Sequence, residues 1–277
     1  MTSQSNVNNY WESEVCGTRF ATDLEERKAI ALEIAKTRYR CEPYIPKFAG
    51  FKDNNSGKKV LEIGIGAGTD FIQWIRSGAE CYGIDATQAA IQESTANIES
   101  ILGNDKSTKL LQVASAENLP FEDNFFDIVY SHGVLHHATN TMSCISEAVR
   151  VLKPGGTLKL MVYSTFSATG IMLWGIHGLL KGKPFQSQEN IIFKHLESPG
   201  TKCYSSKEFS KILKGFGLVN VQIEKFAGSG DLLMMPPSHK YKSNPAYKWI
   251  MRIYPRSIVR ILQGKLGLAL TTISIKE

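Results

Sequence analysis

The sequence predicts an α/β fold built on a mostly parallel sheet. Three observations predict it. Short apolar runs alternate with segments of helical periodicity between residues 58 and 163. Glycines and capping residues punctuate the joints. A glycine-rich turn follows the first apolar run and opens a helix. Strand and helix in that rhythm form βαβ units, whose ligands bind beyond the carboxyl ends of the strands.

The elements follow in order. Residues 24–40 place Leu24, Ala31, Ile34 and Ala35 on one helical side, and Glu42-Pro43 ends the segment. Residues 58–64 read as a short buried strand running into glycines, and 69–77 as a helix stopped by Gly78. Residues 80–85 are a second strand, and 87–102 a helix with Thr87 as its N-cap. Residues 109–113 and 125–131 are a third and a fourth strand. Residues 139–152 are a helix stopped by Lys153-Pro154-Gly155-Gly156, and 157–163 a fifth strand. The rhythm breaks over 164–204, where 170–180 is helical and unusually apolar. Residues 205–216 are a capped helix, 218–226 a strand, 227–265 an irregular, partly helical insertion, and 268–275 the last strand.

Composition narrows the function. The chain has 277 residues, 43% of them hydrophobic, enough to bury a core. No apolar run reaches the roughly 18 residues of a spanning helix, so no integral membrane segment is expected. The polar N-terminus lacks the head and apolar stretch of a secretory signal, and the expected location is cytoplasmic. Five widely spaced cysteines without a CxxC suggest neither a disulfide framework nor a zinc site, and no metal is expected. The net charge of +6 comes from bases scattered after Lys153. Solvated helix faces are the plain reading; an anionic substrate or a membrane surface is the alternative. The bases are too dispersed for a nucleic-acid reader.

The chemistry starts at Val60-Leu61-Glu62-Ile63-Gly64-Ile65-Gly66-Ala67-Gly68-Thr69-Asp70. Thr69 departs from the dinucleotide fingerprint, and the Gly-Lys-Ser/Thr of a P-loop is absent. What stands instead is an acid, Glu62, two residues before three alternating glycines. Asp85 ends the second strand, where a carboxylate can accept both hydroxyls of a ribose. Then come Ala114-Ser115-Ala116-Glu117-Asn118-Leu119-Pro120-Phe121, Phe125-Phe126-Asp127-Ile128-Val129-Tyr130-Ser131 and Leu152-Lys153-Pro154-Gly155-Gly156.

These blocks, in this order and spacing, resemble the class I S-adenosylmethionine-dependent methyltransferases. The likeness is strongest to the small-molecule branch that includes the ubiquinone and menaquinone C-methyltransferases. It covers 58–163 strongly, and 205–226 with 268–276 more weakly. It implies a Rossmann-like seven-stranded sheet, mostly parallel, with helices on both faces, an antiparallel last strand and a helical substrate lid. The domain plan it implies is a helical cap segment (1–57), a cofactor-binding core (58–163), a lid insertion (164–204), and the rest of the core (205–277) with a second insertion at 227–265.

The resemblance also implies the site. Glu62, Gly64, Gly66 and Gly68 would line the methionine and ribose side of S-adenosyl-L-methionine, and Asp85 with Ala86 the ribose hydroxyls. Ser115, Ala116 and Glu117 would meet the adenine, with Ser115 standing where many relatives carry Asp or Asn. Ser131 and His132 would sit by the sulfonium. His132, His136 and His137 are the candidate bases; as neighbours, at most one of the last two should face the pocket. Tyr10 and Trp11, placed before a helix, could close over the cofactor. Tyr163, Trp174, His177 and Tyr204 are the remaining acceptor-side candidates. The apolar lid suits a fairly apolar small-molecule acceptor, a secondary metabolite, methylated on O, N or C. An RNA or protein methyltransferase, a non-catalytic cofactor-binding protein, and a homo-oligomeric state stay open.

Overall fold

The computed structural model describes residues 4–13, 15, 18, 26–103, 111–196, 198, 200–234 and 254–277. The strands are β1 (Lys59–Ile63), β2 (Glu80–Asp85), β3 (Leu111–Val113), β4 (Phe126–His132), β5 (Leu152–Tyr163), β6 (Leu218–Phe226) and β7 (Ala269–Lys276). Among the described residues they form one seven-stranded sheet in the order β3-β2-β1-β4-β5-β7-β6. Neighbours from β3 to β5 run parallel. β7 lies antiparallel between β5 and β6. The strand order reverses between β1 and β4, and this opens a crevice at their carboxyl ends.

Alternation along each strand sorts the core onto the two faces. Leu61, Val129, Leu160 and Leu270 pack on one face with α6 (Thr141–Val151) and α9 (Ser206–Gly215). Their strand neighbours Val60, Ile128, Met161 and Ala269 pack on the other face. There they meet α3 (Ile45–Ala49), α4 (Thr69–Arg76) and α5 (Gln88–Leu102), through Phe48, Trp74 and Ile98. This is the period of two expected of strands covered on both sides.

Local chemistry accounts for the boundaries. The Thr87 side chain caps α5 by accepting from the backbone N–H of Ala90. Asn140 caps α6 by accepting from Met142 and Ser143, so that helix starts at Thr141 rather than at 139. Ser205 and Glu208 form a reciprocal capping box on α9. β5 begins at Leu152, and Pro154-Gly155-Gly156 therefore lies within the strand instead of ahead of it. A register shift between Phe126 and Ile128 and a left-handed Gly155 (φ 75°) absorb the extra residues.

The remaining helices lie in the N-terminal segment and the two insertions. α1 (Gln4–Ser13) contains Tyr10 and Trp11, which therefore sit inside a helix and not before one. α2 (Arg27–Cys41) is the expected 24–40 segment; Leu24 and Glu25 lie outside the described residues. α7 (Ala168–His177), a 3-10 turn (Leu179–Lys181) and α8 (Gln188–His195) make up most of the lid region. α10 (Arg256–Ile261) and α11 (Gln263–Leu266) belong to the second insertion, of which 235–253 are outside the described residues. Lys109 and Leu110 of the expected third strand also lie outside them. No described helix is long and apolar enough to cross a membrane.

Candidate functional site

A cavity of about 260 Å³ opens at the carboxyl ends of β1, β2 and β4. The turn after β1 builds its floor. Gly64, Gly66 and Gly68 all adopt positive φ (79°, 51° and 75°), a region that other residues enter only with strain. At Gly64 the need is also steric, because a Cβ would lie 2.3 Å from a methyl of Val134. Gly64 and Ile65 donate to the carbonyl of Ile84, which ties the turn to β2. Asn97 holds Ala67 from α5 by donating to its carbonyl at 3.0 Å.

Asp85 rims the cavity. One oxygen accepts from the N–H of Gly66 at 3.2 Å, the other from the N–H and hydroxyl of Thr87 at 3.1 and 2.9 Å. Burial nevertheless pushes its carboxyl up, against the pull of these bonds. Two oxygens with three partners retain accepting capacity. Ala86, Ser115 and Ala116 line the next stretch of wall. The Ser115 hydroxyl accepts from the N–H of Glu117, while the Glu117 carboxylate accepts from the N–H of Asn140, at the start of α6.

Glu62 carries the anomaly of the site. It is 4% exposed, it lines the cavity, and its Oε2 has no hydrogen-bond partner. Burial, reinforced by Asp70 and opposed by Arg38, holds its pKa well above the ordinary range. Asp70 is in the opposite condition. It accepts from Arg38 Nε and Nη2 (3.0 and 2.5 Å), Tyr39 (3.0 Å) and Tyr130 (2.8 Å). Burial alone would raise its pKa, but Arg38 wins and holds it low. Two buried acids thus share one guanidinium, and Asp70 has taken it.

Arg38 also sets the state of His132. A guanidinium can only donate, so Nδ1 of His132, 3.3 Å from Arg38 Nη2, accepts. Burial pushes His132 toward neutrality, which puts its one proton on Nε2, 3.1 Å from the Tyr44 hydroxyl. The Tyr44 hydroxyl in turn donates a hydrogen bond to Glu42 at 3.1 Å. His137 is held from the other side. Thr201 commits its proton to the carbonyl of Ser198 at 2.7 Å. Its oxygen lies 3.0 Å from His137 Nδ1. The Ser198 hydroxyl lies 2.9 Å from the same Nδ1.

The cavity therefore brings together Glu62, Gly64, Gly66, Asp85, Ala86, Ser115, Ala116, Glu117, His132, His137, Trp11 and Tyr163. Other expected site residues lie elsewhere. Gly68 caps α4 and packs on Ser94. Ser131 is buried and donates to the carbonyl of Ile63, bracing β4 against β1. His136 is fully buried, its ring 4.0 Å from that of Tyr163. Tyr10 meets Trp11 edge-on from outside. Trp174 donates to the carbonyl of Pro184, His177 stacks on His195, and Tyr204 packs on Phe209. Sequence reasoning missed Arg38, Asp70, Tyr39, Tyr44 and Tyr130. Asp70 stood within the quoted glycine motif, but its partner Arg38 is 32 residues away and no local pattern joins them.

The family of methyltransferase domains matches residues 61–160, the stretch that supplies this floor and most of the wall. Over those residues the chain is similar to methyltransferase domains. Relatives of the domain act on varied small molecules by name. Tocopherol O-methyltransferase of Arabidopsis thaliana is 32% identical over 122 residues, 42% of this chain and 34% of that protein. Sterol 24-C-methyltransferase of Pneumocystis carinii is 33% identical over 147 residues, 53% of this chain and 36% of that protein. Less than half of either relative's length is matched. Geranyl diphosphate C-methyltransferase from Streptomyces coelicolor shares the fold over 99% of this chain and 98% of its own (TM-score 0.61, 14% identity).

Proposed function

We propose that the chain is an S-adenosylmethionine-dependent methyltransferase acting on a fairly apolar small molecule. The observation that carries the reading is the unpartnered Glu62 oxygen, buried in the same cavity as Asp85 and beside the glycine turn of the stretch similar to methyltransferase domains. A buried carboxylate without a partner is costly unless a ligand supplies one. S-adenosylmethionine fits this donor set: Glu62 would hold its ammonium, Asp85 its ribose hydroxyls, and 115–117 the adenine edge. When bound, the cofactor supplies an electrophilic methyl group on a sulfonium.

The chain's own residues would position and shield the acceptor. Trp11, Val15, Ile34, Val134, Met161 and Tyr163 give the remaining wall an apolar character. Alignment of this kind can lower a barrier by roughly 7–11 kcal/mol at best. Where the acceptor must lose a proton, His137 is the residue placed to take it, because it lines the cavity. His132 has its lone pair engaged by Arg38 and serves as a link between α2 and β4.

Calorimetric titration with S-adenosylmethionine tests the cofactor. Asp85→Ala should weaken binding by about 1–3 kcal/mol, the loss of a charged hydrogen bond. Unchanged affinity in that variant would overturn the site.

A further inference from the structure

The apolar lid does not line the cavity. Its helix α7 buries Ala168, Thr169, Gly170, Leu173 and His177, exposes Ile171, and leaves Met172, Gly175 and Ile176 half-buried. Surface helices of globular proteins normally turn a charged face to water. This one has no Asp, Glu, Lys or Arg on any face. The apolar surface continues past its end. Leu179 is 53% exposed, Leu180 80% and Phe185 100%.

A second apolar surface adjoins its start. Ile258 and Ile261 on α10 are exposed, Ile261 at 82%, while Val259 of the same helix packs in a cluster with Ala168 of α7. The Nζ of Lys225 joins the two regions by donating to the carbonyls of Phe166 and Lys265 at 2.7 and 2.6 Å.

The segments that carry these side chains are basic. Residues 164–188 and 254–268 contain no Asp or Glu, and Glu189 at the start of α8 is the first acid past the tip. Lys181 and Lys183 lie within the Leu180–Phe185 tip, and Arg260 and Lys265 flank Ile261; all four are exposed. Fully exposed side chains on a protruding tip suit a fluid partner that closes around them, and lysines at the base of such a tip can stay in a headgroup layer. We propose that this face docks on an anionic lipid membrane, with Leu180, Phe185 and Ile261 entering the interface. The chain would then bind the surface of a bilayer and not span it. An acceptor dissolved in that bilayer would meet the enzyme close to Tyr163, five residues before α7.

Vesicle flotation tests this with the full chain. The probes are vesicles of phosphatidylcholine alone and of phosphatidylcholine mixed equally with phosphatidylglycerol. The chain should float with the mixed vesicles and bind the neutral ones at least tenfold more weakly, at about fivefold per lysine. Phe185→Glu with Leu180→Glu should reduce binding roughly tenfold or more. Lys181→Glu with Lys183→Glu should reduce it about thirtyfold or more. These side chains are exposed, so thermal stability and S-adenosylmethionine affinity should not change. Three results would overturn the proposal: no flotation of the unmodified chain, flotation indifferent to both pairs, or a lipid-free dimer by light scattering that Phe185→Glu dissolves. Flotation does not depend on the cofactor, so failure of the methyltransferase reading would appear separately, as absent cofactor binding.

Discussion

Glu62→Gln should stabilise the free protein and weaken its cofactor binding, two opposite effects from one atom. The pKa of Glu62 is raised in the fold by burial and by Asp70, against Arg38. A raised carboxyl favours the folded state below its unfolded value and loses that advantage as pH rises toward the folded value. Its ordinary value is 4.5. At about 1.4 kcal/mol per pH unit, the loss by pH 7 has a ceiling of roughly 3.4 kcal/mol, because it accumulates only above the unfolded value and stops once the folded group has also ionised. The amide has no such linkage, and the cost of burying a neutral polar group is common to both side chains. Glu62→Gln should therefore raise Tm at pH 7 by up to roughly 7–14 °C, at about 2–4 °C per kcal/mol. The gain should shrink to nothing as the pH approaches 4.5. Binding runs the other way. Loss of a charge-assisted bond to the ammonium, about 1.5–3 kcal/mol, should weaken S-adenosylmethionine roughly 10–150-fold. In the unmodified chain, affinity should rise with pH, since binding a cation there requires Glu62 to ionise. Thermal melts and calorimetry across pH read all of this. Equal melting temperatures at pH 7, or affinities within twofold, would refute the reasoning.

Other outcomes follow from the same geometry. Arg38→Met leaves Asp70 buried with only two tyrosine hydroxyls and should cost about 3–5 kcal/mol in chemical denaturation. Adding Asp70→Asn should recover part of it, and a double variant as unstable as the sum would contradict the pairing. Gly64→Ala puts a Cβ into Val134 at positive φ and should lower Tm, with partial rescue by Val134→Ala, also read by thermal melting. His137→Gln should reduce turnover on an acceptor that must lose a proton by about 10²–10⁴. His132→Gln should cost far less; the reverse pattern would exchange their roles.

The sequence by itself determined the sheet and its helices, because these are written in local periods. Alternating Val60-Leu61 and Ile128-Val129 can only sort onto opposite faces, and Thr87, Ser205 and Glu208 cap helices through bonds that span three residues. The glycine turn and Asp85 were legible for the same reason: a positive φ and a strand end are local events. Tertiary structure decided which groups meet. The claim of Arg38 on Asp70, and so the isolation of Glu62, depends on how α2 packs against α4 and α5. The state of His132 depends on a guanidinium 94 residues away in sequence, and the contacts of His137 on a hydroxyl 61 residues away. The lid was misread for a related reason. A helix such as α7, apolar on every side, carries no phase to say which side is buried. Its packing on α8 and, through Ala168, on Val259 and Leu232 decided which of its residues are buried, and it left Ile171 exposed.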